Sequence, residues 1–219
     1  MARYDNLLAN VPTDLWIGGK WRKSSDGGRF DVIDPATENK VASVASATVD
    51  DAIAALDAAS AAFPGWAAKK PRERAEVLRK SYELIMRDAE RLAKLITIEN
   101  GKALSDSRGE VAYAAEFFRW YAEEAVRNVG ANSVAPASGA RIFVQHKPAG
   151  IAVLVTPWNF PAAMASSTVA LATEATLFSV AGSITSKRAP SEAFFHLPPI
   201  QRSVGTFASR LSYAAMAHS

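Results

Sequence analysis

Residues 150–161 read Gly150-Ile151-Ala152-Val153-Leu154-Val155-Thr156-Pro157-Trp158-Asn159-Phe160-Pro161. The aliphatic run 151–155 has no polar interruption, the pattern of a strand buried on both faces of a parallel sheet. Pro157 and Pro161 fix φ, lack an N–H and disfavour helical backbone in the residue before them, so the chain leaves the strand in a non-helical turn. Open α/β sheets bind ligands at the carboxyl ends of their strands, which makes this turn the candidate site. Within it Asn159 carries a side-chain NH2 able to donate to a substrate oxygen. A turn asparagine also serves its own backbone through an Asx hydrogen bond, and the residues alone leave both roles open.

Working outward, composition sets limits. The 219 residues include no cysteine, which removes disulfides, thiolate metal ligands and any reaction needing a thiol nucleophile from this chain. Apolar content of 49% and charged content of 21% are ordinary for a soluble globular protein. Net charge is only +3, Lys69-Lys70 is the single adjacent lysine pair and no Lys/Arg run reaches five, so neither a nucleic-acid nor a membrane partner is expected. The start of the chain holds Asp5 and Asn10 without a continuous apolar run, unlike a signal peptide. No stretch approaches the ~20 apolar residues of a membrane helix. A cytoplasmic protein is the expectation.

Little else in the chain offers chemistry. His146, His196 and His218 are too scattered for a metal site, and none is expected. There is no G-x-S-x-G elbow, and Ser183 after Gly182 has no partner base. Neither G-x-G-x-x-G nor a P-loop supplies a phosphate cradle. Glu123-Glu124 reads as a solvated helix face, and Phe117, Phe118, Trp120 and Tyr121 as a core or interface cluster.

Along the chain, Leu15-Trp16-Ile17, Gly18-Gly19 and Lys20-Trp21-Arg22 predict a hairpin, since glycines supply the positive φ of a two-residue turn. A second extended segment, Phe30 to Ile33, ends at Asp34-Pro35. Thr48 opens a helix with Asp51 as its capping-box partner; its stripe is Ile53, Leu56, Ala59 and Phe63, and Pro64-Gly65 stops it. Pro71 begins the next helix, with Ala75, Leu78, Tyr82, Ile85 and Ala89 on one face. A third runs from about Asp88 to Asn100, with Gly101 beyond its end. A fourth, from near Asp106, buries Val111, Ala114, Phe118, Ala122 and Ala125. Residues 141–146 alternate like a half-exposed strand. Of the 25 basic and 22 acidic side chains, only Glu174, Lys187, Arg188, Glu192, Arg202 and Arg210 lie beyond position 165. The segment 166–219 therefore reads as a poorly specified tail, with a boundary near 165.

Thr156-Pro157-Trp158-Asn159-Phe160-Pro161 after an apolar strand resembles the aldehyde dehydrogenase superfamily. So do Ile17-Gly18-Gly19-Lys20-Trp21, Asp34-Pro35-Ala36-Thr37, Glu99-Asn100-Gly101-Lys102 and Lys147-Pro148-Ala149-Gly150-Ile151. Arg108-Gly109-Glu110-Val111, Trp120-Tyr121-Ala122-Glu123-Glu124-Ala125 and Asn159-Phe160-Pro161-Ala162-Ala163-Met164 are similar to the succinate-semialdehyde dehydrogenases. The resemblance spans about 14–165 and implies an α/β chain equal to the N-terminal part of that fold, incomplete. Its parts would be a hairpin, a helical layer, an oligomerisation strand within 131–148 and the first strand of a Rossmann-like sheet. It implies oxidation of a succinate-semialdehyde-like aldehyde to its acid with NAD or NADP. Asn159 would be the oxyanion donor, and Val155, Thr156, Pro157 and Trp158 would lie along the nicotinamide ribose. Subunits would pair, with like or unlike partners, through 141–147. The resemblance ends after Met164: the glycine-containing helix start for the pyrophosphate, the glutamate base and the cysteine have no counterpart here. What it implies for the chain alone is a fragment without turnover, and alternatively a non-catalytic oligomerisation partner or a remnant.

Overall fold

Local chemistry shapes the N-terminal third as the sequence predicts. The computed structural model describes residues 5–9, 11–174 and 177–183; His196, His218 and most of the expected tail lie outside them. A short helix, α1 (Asp5–Leu8), precedes two antiparallel hairpins. β1 (Leu15–Ile17) and β2 (Lys20–Arg22) turn through Gly18 and Gly19 at φ 60° and 78°, and Trp16 lies opposite Trp21 with ring centroids 5.0 Å apart. β3 (Arg29–Ile33) and β4 (Lys40–Ala45) pair next. The buried Asp34 carboxylate closes their turn, accepting from the Ala36 N–H at 2.8 Å and the Thr37 hydroxyl at 2.9 Å.

Four long helices follow. α2 (Val49–Ala67) begins with the expected capping box between Thr48 and Asp51. It does not stop at Pro64-Gly65. Proline removes one helical hydrogen bond, but the Ala68 N–H bonds the Pro64 carbonyl at 3.1 Å and Trp66 is buried, which carries the last turn onward. The expected α2 stripe is also corrected: Ile53 and Leu56 are exposed, while Asp51, Ala59 and Trp66 are buried. α2 meets its neighbours through small side chains, Ala58 lying where a Cβ on Gly18 would come within 3.7 Å. α3 (Pro71–Arg87) buries the face its periodicity predicts, α4 (Ala89–Asn100) buries Leu92, Ala93, Leu95, Ile96 and Ile98, and α5 (Leu104–Glu124) again buries its predicted face. Leu78, Ile85, Leu95, Ile96, Val111 and Phe118 form the centre of the core. Of the aromatic cluster on α5, Phe118 is buried and Trp120 is exposed.

β5 (Ala131–Val134) and β6 (Arg141–Val144) make a two-stranded antiparallel ribbon in which Val134 opposes Arg141. The sequence predicts a half-exposed strand at 141–146, but all of β5 and β6 is exposed. Among the described residues no layer covers either face of the ribbon.

β7 (Gly150–Thr156) pairs in parallel with β8 (Leu177–Ser183) through the crossover helix α6 (Ala163–Glu174). A parallel neighbour and a helical crossover are what the aliphatic run requires. Burial on both faces is corrected. Ile151, Val153 and Val155 are 38%, 47% and 56% exposed, whereas Leu154 packs on the core cluster and Thr156 is buried. Alternate side chains along β7 point to opposite faces, so Leu154 and Thr156 turn inward while Ile151, Val153 and Val155 face outward. The expected boundary near 165 falls inside α6, where Ala165, Ser166, Val169, Ala170 and Ala172 are buried. Ala114 and Ala115 of α5 share a cluster with Ala163 and Ala170 of α6, small side chains that permit close helix contact.

Candidate functional site

The carboxyl end of β7 delivers Thr156, buried, into the turn 157–162, and α6 begins at Ala163. Pro157, Trp158, Asn159 and Phe160 are exposed, and the chain is buried again from Pro161. The turn is non-helical, as the two prolines dictate. Of the residues expected to act together, Val155, Pro157, Trp158 and Asn159 are exposed at the strand end, while Thr156 between them is buried.

Three side chains from the α4–α5 corner grip this turn. Asn100 Nδ2 donates to the Trp158 carbonyl at 3.1 Å. Lys102 Nζ donates to the Asn159 carbonyl at 2.9 Å and lies 4.3 Å from the centre of the Phe160 ring. Glu110 accepts from the Ala162 N–H at 2.8 Å and the Ala163 N–H at 3.3 Å. Lys102 and Glu110 also form an ion pair, with the Glu110 side chain only 1% exposed. Gly101 makes this corner possible: at φ 73° it ends α4 in the left-handed conformation, and a Cβ there would stand 2.8 Å from Pro35 Cγ. Glu110 satisfies N–H groups that a helix start leaves without intrahelical partners, and its charge lies where the α6 dipole favours an anion.

Sequence reasoning missed Asn100, Lys102 and Glu110 as site residues. Glu99-Asn100-Gly101-Lys102 and Arg108-Gly109-Glu110-Val111 stood out only as stretches of resemblance; nothing in their spacing points at residues more than fifty positions away. On the outer side of this corner, Arg108 pairs with Glu90 through both carboxylate oxygens at 2.8 and 2.9 Å. That guanidinium holds the Glu90 carboxyl down to about 2.

The surface has two distinct ends. Val155, Pro157 and Trp158 are exposed and apolar or aromatic, suited to the flat face of a heteroaromatic ring and its sugar. A diphosphate needs a helix start with open N–H groups, but the first N–H groups of α6 are already taken by Glu110. The described residues therefore fit the nicotinamide end of a dinucleotide and do not supply its phosphate cradle. Among the described residues no group of three or more His, Asp or Glu side chains is placed to hold a metal ion. Nor is any described helix long and apolar enough to cross a membrane.

Comparison with known proteins finds a family match. Residues 21–177 match the model of the aldehyde dehydrogenase family. A succinate-semialdehyde dehydrogenase of Paenarthrobacter nicotinovorans is 52% identical over 135 residues, covering 62% of this chain and 30% of that protein. The NADP(+) succinate-semialdehyde dehydrogenase GabD of Escherichia coli is 41% identical over 148 residues, 68% of this chain and 31% of its own length. A crystal structure of succinate-semialdehyde dehydrogenase from Burkholderia pseudomallei superposes with a TM-score of 0.77 at 33% identity, over 91% of this chain and 38% of that one. The chain spans about a third of the length of the curated relatives it matches.

Proposed function

Since the chain belongs to the aldehyde dehydrogenase family, we propose that Val155 and the 156–161 turn are the nicotinamide-side wall of a site that oxidises a succinate-semialdehyde-like aldehyde. One observation supports this above others: the Asn159 turn stands exposed at the end of β7, anchored from behind by Asn100, Lys102 and Glu110. Val155, Thr156, Pro157 and Trp158 would hold the nicotinamide ribose of NAD or NADP. Bound there, the dinucleotide supplies the hydride acceptor. Asn159 would donate its side-chain N–H to the aldehyde oxygen as negative charge builds on it; one such donor is worth ~10²–10³ in rate. This chain has no cysteine, so a thiolate for attack on the carbonyl must come from sequence other than these 219 residues.

Titration of the chain with NAD and NADP, followed by isothermal calorimetry, tests the reading. Binding weaker than about 1 μM that is reduced further by Trp158→Ala is the expected result. No aldehyde-dependent formation of NAD(P)H should accompany it. Steady turnover by the pure chain would overturn the nucleophile-free assignment, and binding indifferent to Trp158→Ala would overturn the location. A cytoplasmic site of action belongs to the same reading and is tested by cell fractionation.

A second reading is favoured by the β5–β6 ribbon, where Phe143 is 70% exposed and Val134, Ile142 and Val144 are exposed beside it. Exposed apolar strands of this kind pair with another chain. In this reading residues 141–147 join like or unlike subunits, and the chain acts as a non-catalytic partner. Sedimentation equilibrium should show self-association that Phe143→Glu abolishes; an unchanged monomer in both proteins would exclude self-pairing.

A further inference from the structure

We propose that Asn100, Lys102 and Glu110 are positioning residues that set the direction of the Asn159 side chain. The inference rests on reading the 156–161 turn as the nicotinamide-side wall. Its physical basis is the place where the three side chains take hold. Peptide units are planar, so the backbone at one residue has only φ and ψ free. The two peptide planes flanking the Asn159 Cα carry the Trp158 and Asn159 carbonyls, and Asn100 and Lys102 each hold one of them. Fixing both planes fixes φ and ψ of Asn159, and with them its Cα–Cβ bond. Pro157 and Pro161 lock φ on either side of this unit. Glu110 then anchors the exit of the turn through the Ala162 and Ala163 N–H groups.

Lys102 acts here by geometry rather than by charge. Its ammonium is paired with Glu110, so the pair adds little net field at an oxygen beside the Asn159 amide. Lysine and glutamate hold each other in place, and each spends a remaining hydrogen bond on the turn. A buried ion pair contributes little to stability compared with apolar side chains of the same volume. What this one supplies is a defined backbone. The demand for such definition is steep: displacing a reacting group by about 1 Å costs ~10² in rate.

The experiment is NMR relaxation on the whole 219-residue chain, reading the backbone order parameter at Asn159 and its side-chain NH2 resonances. Asn100→Ala removes one grip and leaves no charge unpaired. Lys102→Met with Glu110→Gln removes both charges together while leaving an oxygen for the Ala162 and Ala163 N–H groups. In the unvaried chain Asn159 should be as ordered as helix α4, near 0.85; in either variant it should fall below about 0.6 with α4 unchanged. Lys102→Arg, which keeps a donor for both partners, should restore order and the resonance positions. Asn159 order that survives both variants, or a loss shared equally with α4, would overturn the proposal. A separate arm adds NADP to the unvaried chain. Unmoved Asn159 NH2 resonances at millimolar NADP would remove the cofactor-side reading, while the relaxation result would still decide whether these residues fix the turn.

Discussion

Replacing Asp51 by alanine should cost about 2–4 kcal/mol at pH 7, and much less in acid. Asp51 is buried in the first turn of α2. Its carboxylate accepts from the Thr48 N–H at 2.9 Å, the Ser25 N–H at 3.1 Å and the Ser24 hydroxyl at 3.2 Å, so it ties the β2–β3 loop to the start of the helix. Losing the reciprocal half of a capping box costs ~1 kcal/mol, and each partly buried donor left without an acceptor adds ~1–3 kcal/mol. Against a total stability of ~5–15 kcal/mol, that is a large fraction. Burial pushes the Asp51 carboxyl up, but the backbone N–H groups of Thr48 and Ser25, with the Thr48 and Ser24 hydroxyls, outweigh it and hold the group below its ordinary value. A carboxyl depressed by folding stabilises fully above its unfolded pKa, about 3.9, and the contribution fades as pH falls through the folded value. Urea denaturation followed by far-UV circular dichroism at pH 7, 5 and the lowest pH where the native state persists is the assay. The gap between Asp51→Ala and the parent should be the same at pH 7 and pH 5 and should begin to narrow only below about pH 4. A loss under about 1 kcal/mol at pH 7, or a gap independent of pH, would show that this carboxylate does not join the loop to the helix.

Other outcomes follow from the core and from the α4–α5 corner. Phe118→Ala removes a fully buried ring and should cost ~3–5 kcal/mol in thermal or urea unfolding; a change below about 1 kcal/mol would mean the α3–α5–α6 core is not packed as described. Arg108→Ala should release the Glu90 carboxyl from about 2 toward the ordinary ~4.3, read by carbon NMR titration. The pair's contribution exists above that ordinary value and is lost as pH falls toward 2. Both partners are exposed, so stability at pH 7 should barely change.

Much of the fold is legible in neighbouring residues. Gly18-Gly19 determines a two-residue turn because only glycine takes consecutive positive φ values freely. Thr48 and Asp51 announce a helix start three residues apart, and Gly101 its end. The candidate turn is legible for the same reason, since Pro157 and Pro161 act on their own φ and on the residue before each. Where the reading of α2 failed, at Pro64 and along the Ile53–Leu56 face, local preference was outweighed by the burial of Trp66 and by a small-residue contact. The aliphatic run of β7 carries its strand and its parallel pairing but not its burial, because the covering layer is a property of other segments.

The strand, the proline-bounded turn, the amide at position 159 and the lack of any thiol are all legible in the amino-acid order, since each is a matter of residue identity or of interactions within a few bonds. What holds that amide is a product of packing. Asn100, Lys102 and Glu110 reach the turn across 52 to 58 positions of chain, and they do so because α4 and α5 fold their corner against the end of β7. No periodicity encodes a contact of that separation; it exists only once the helices have packed.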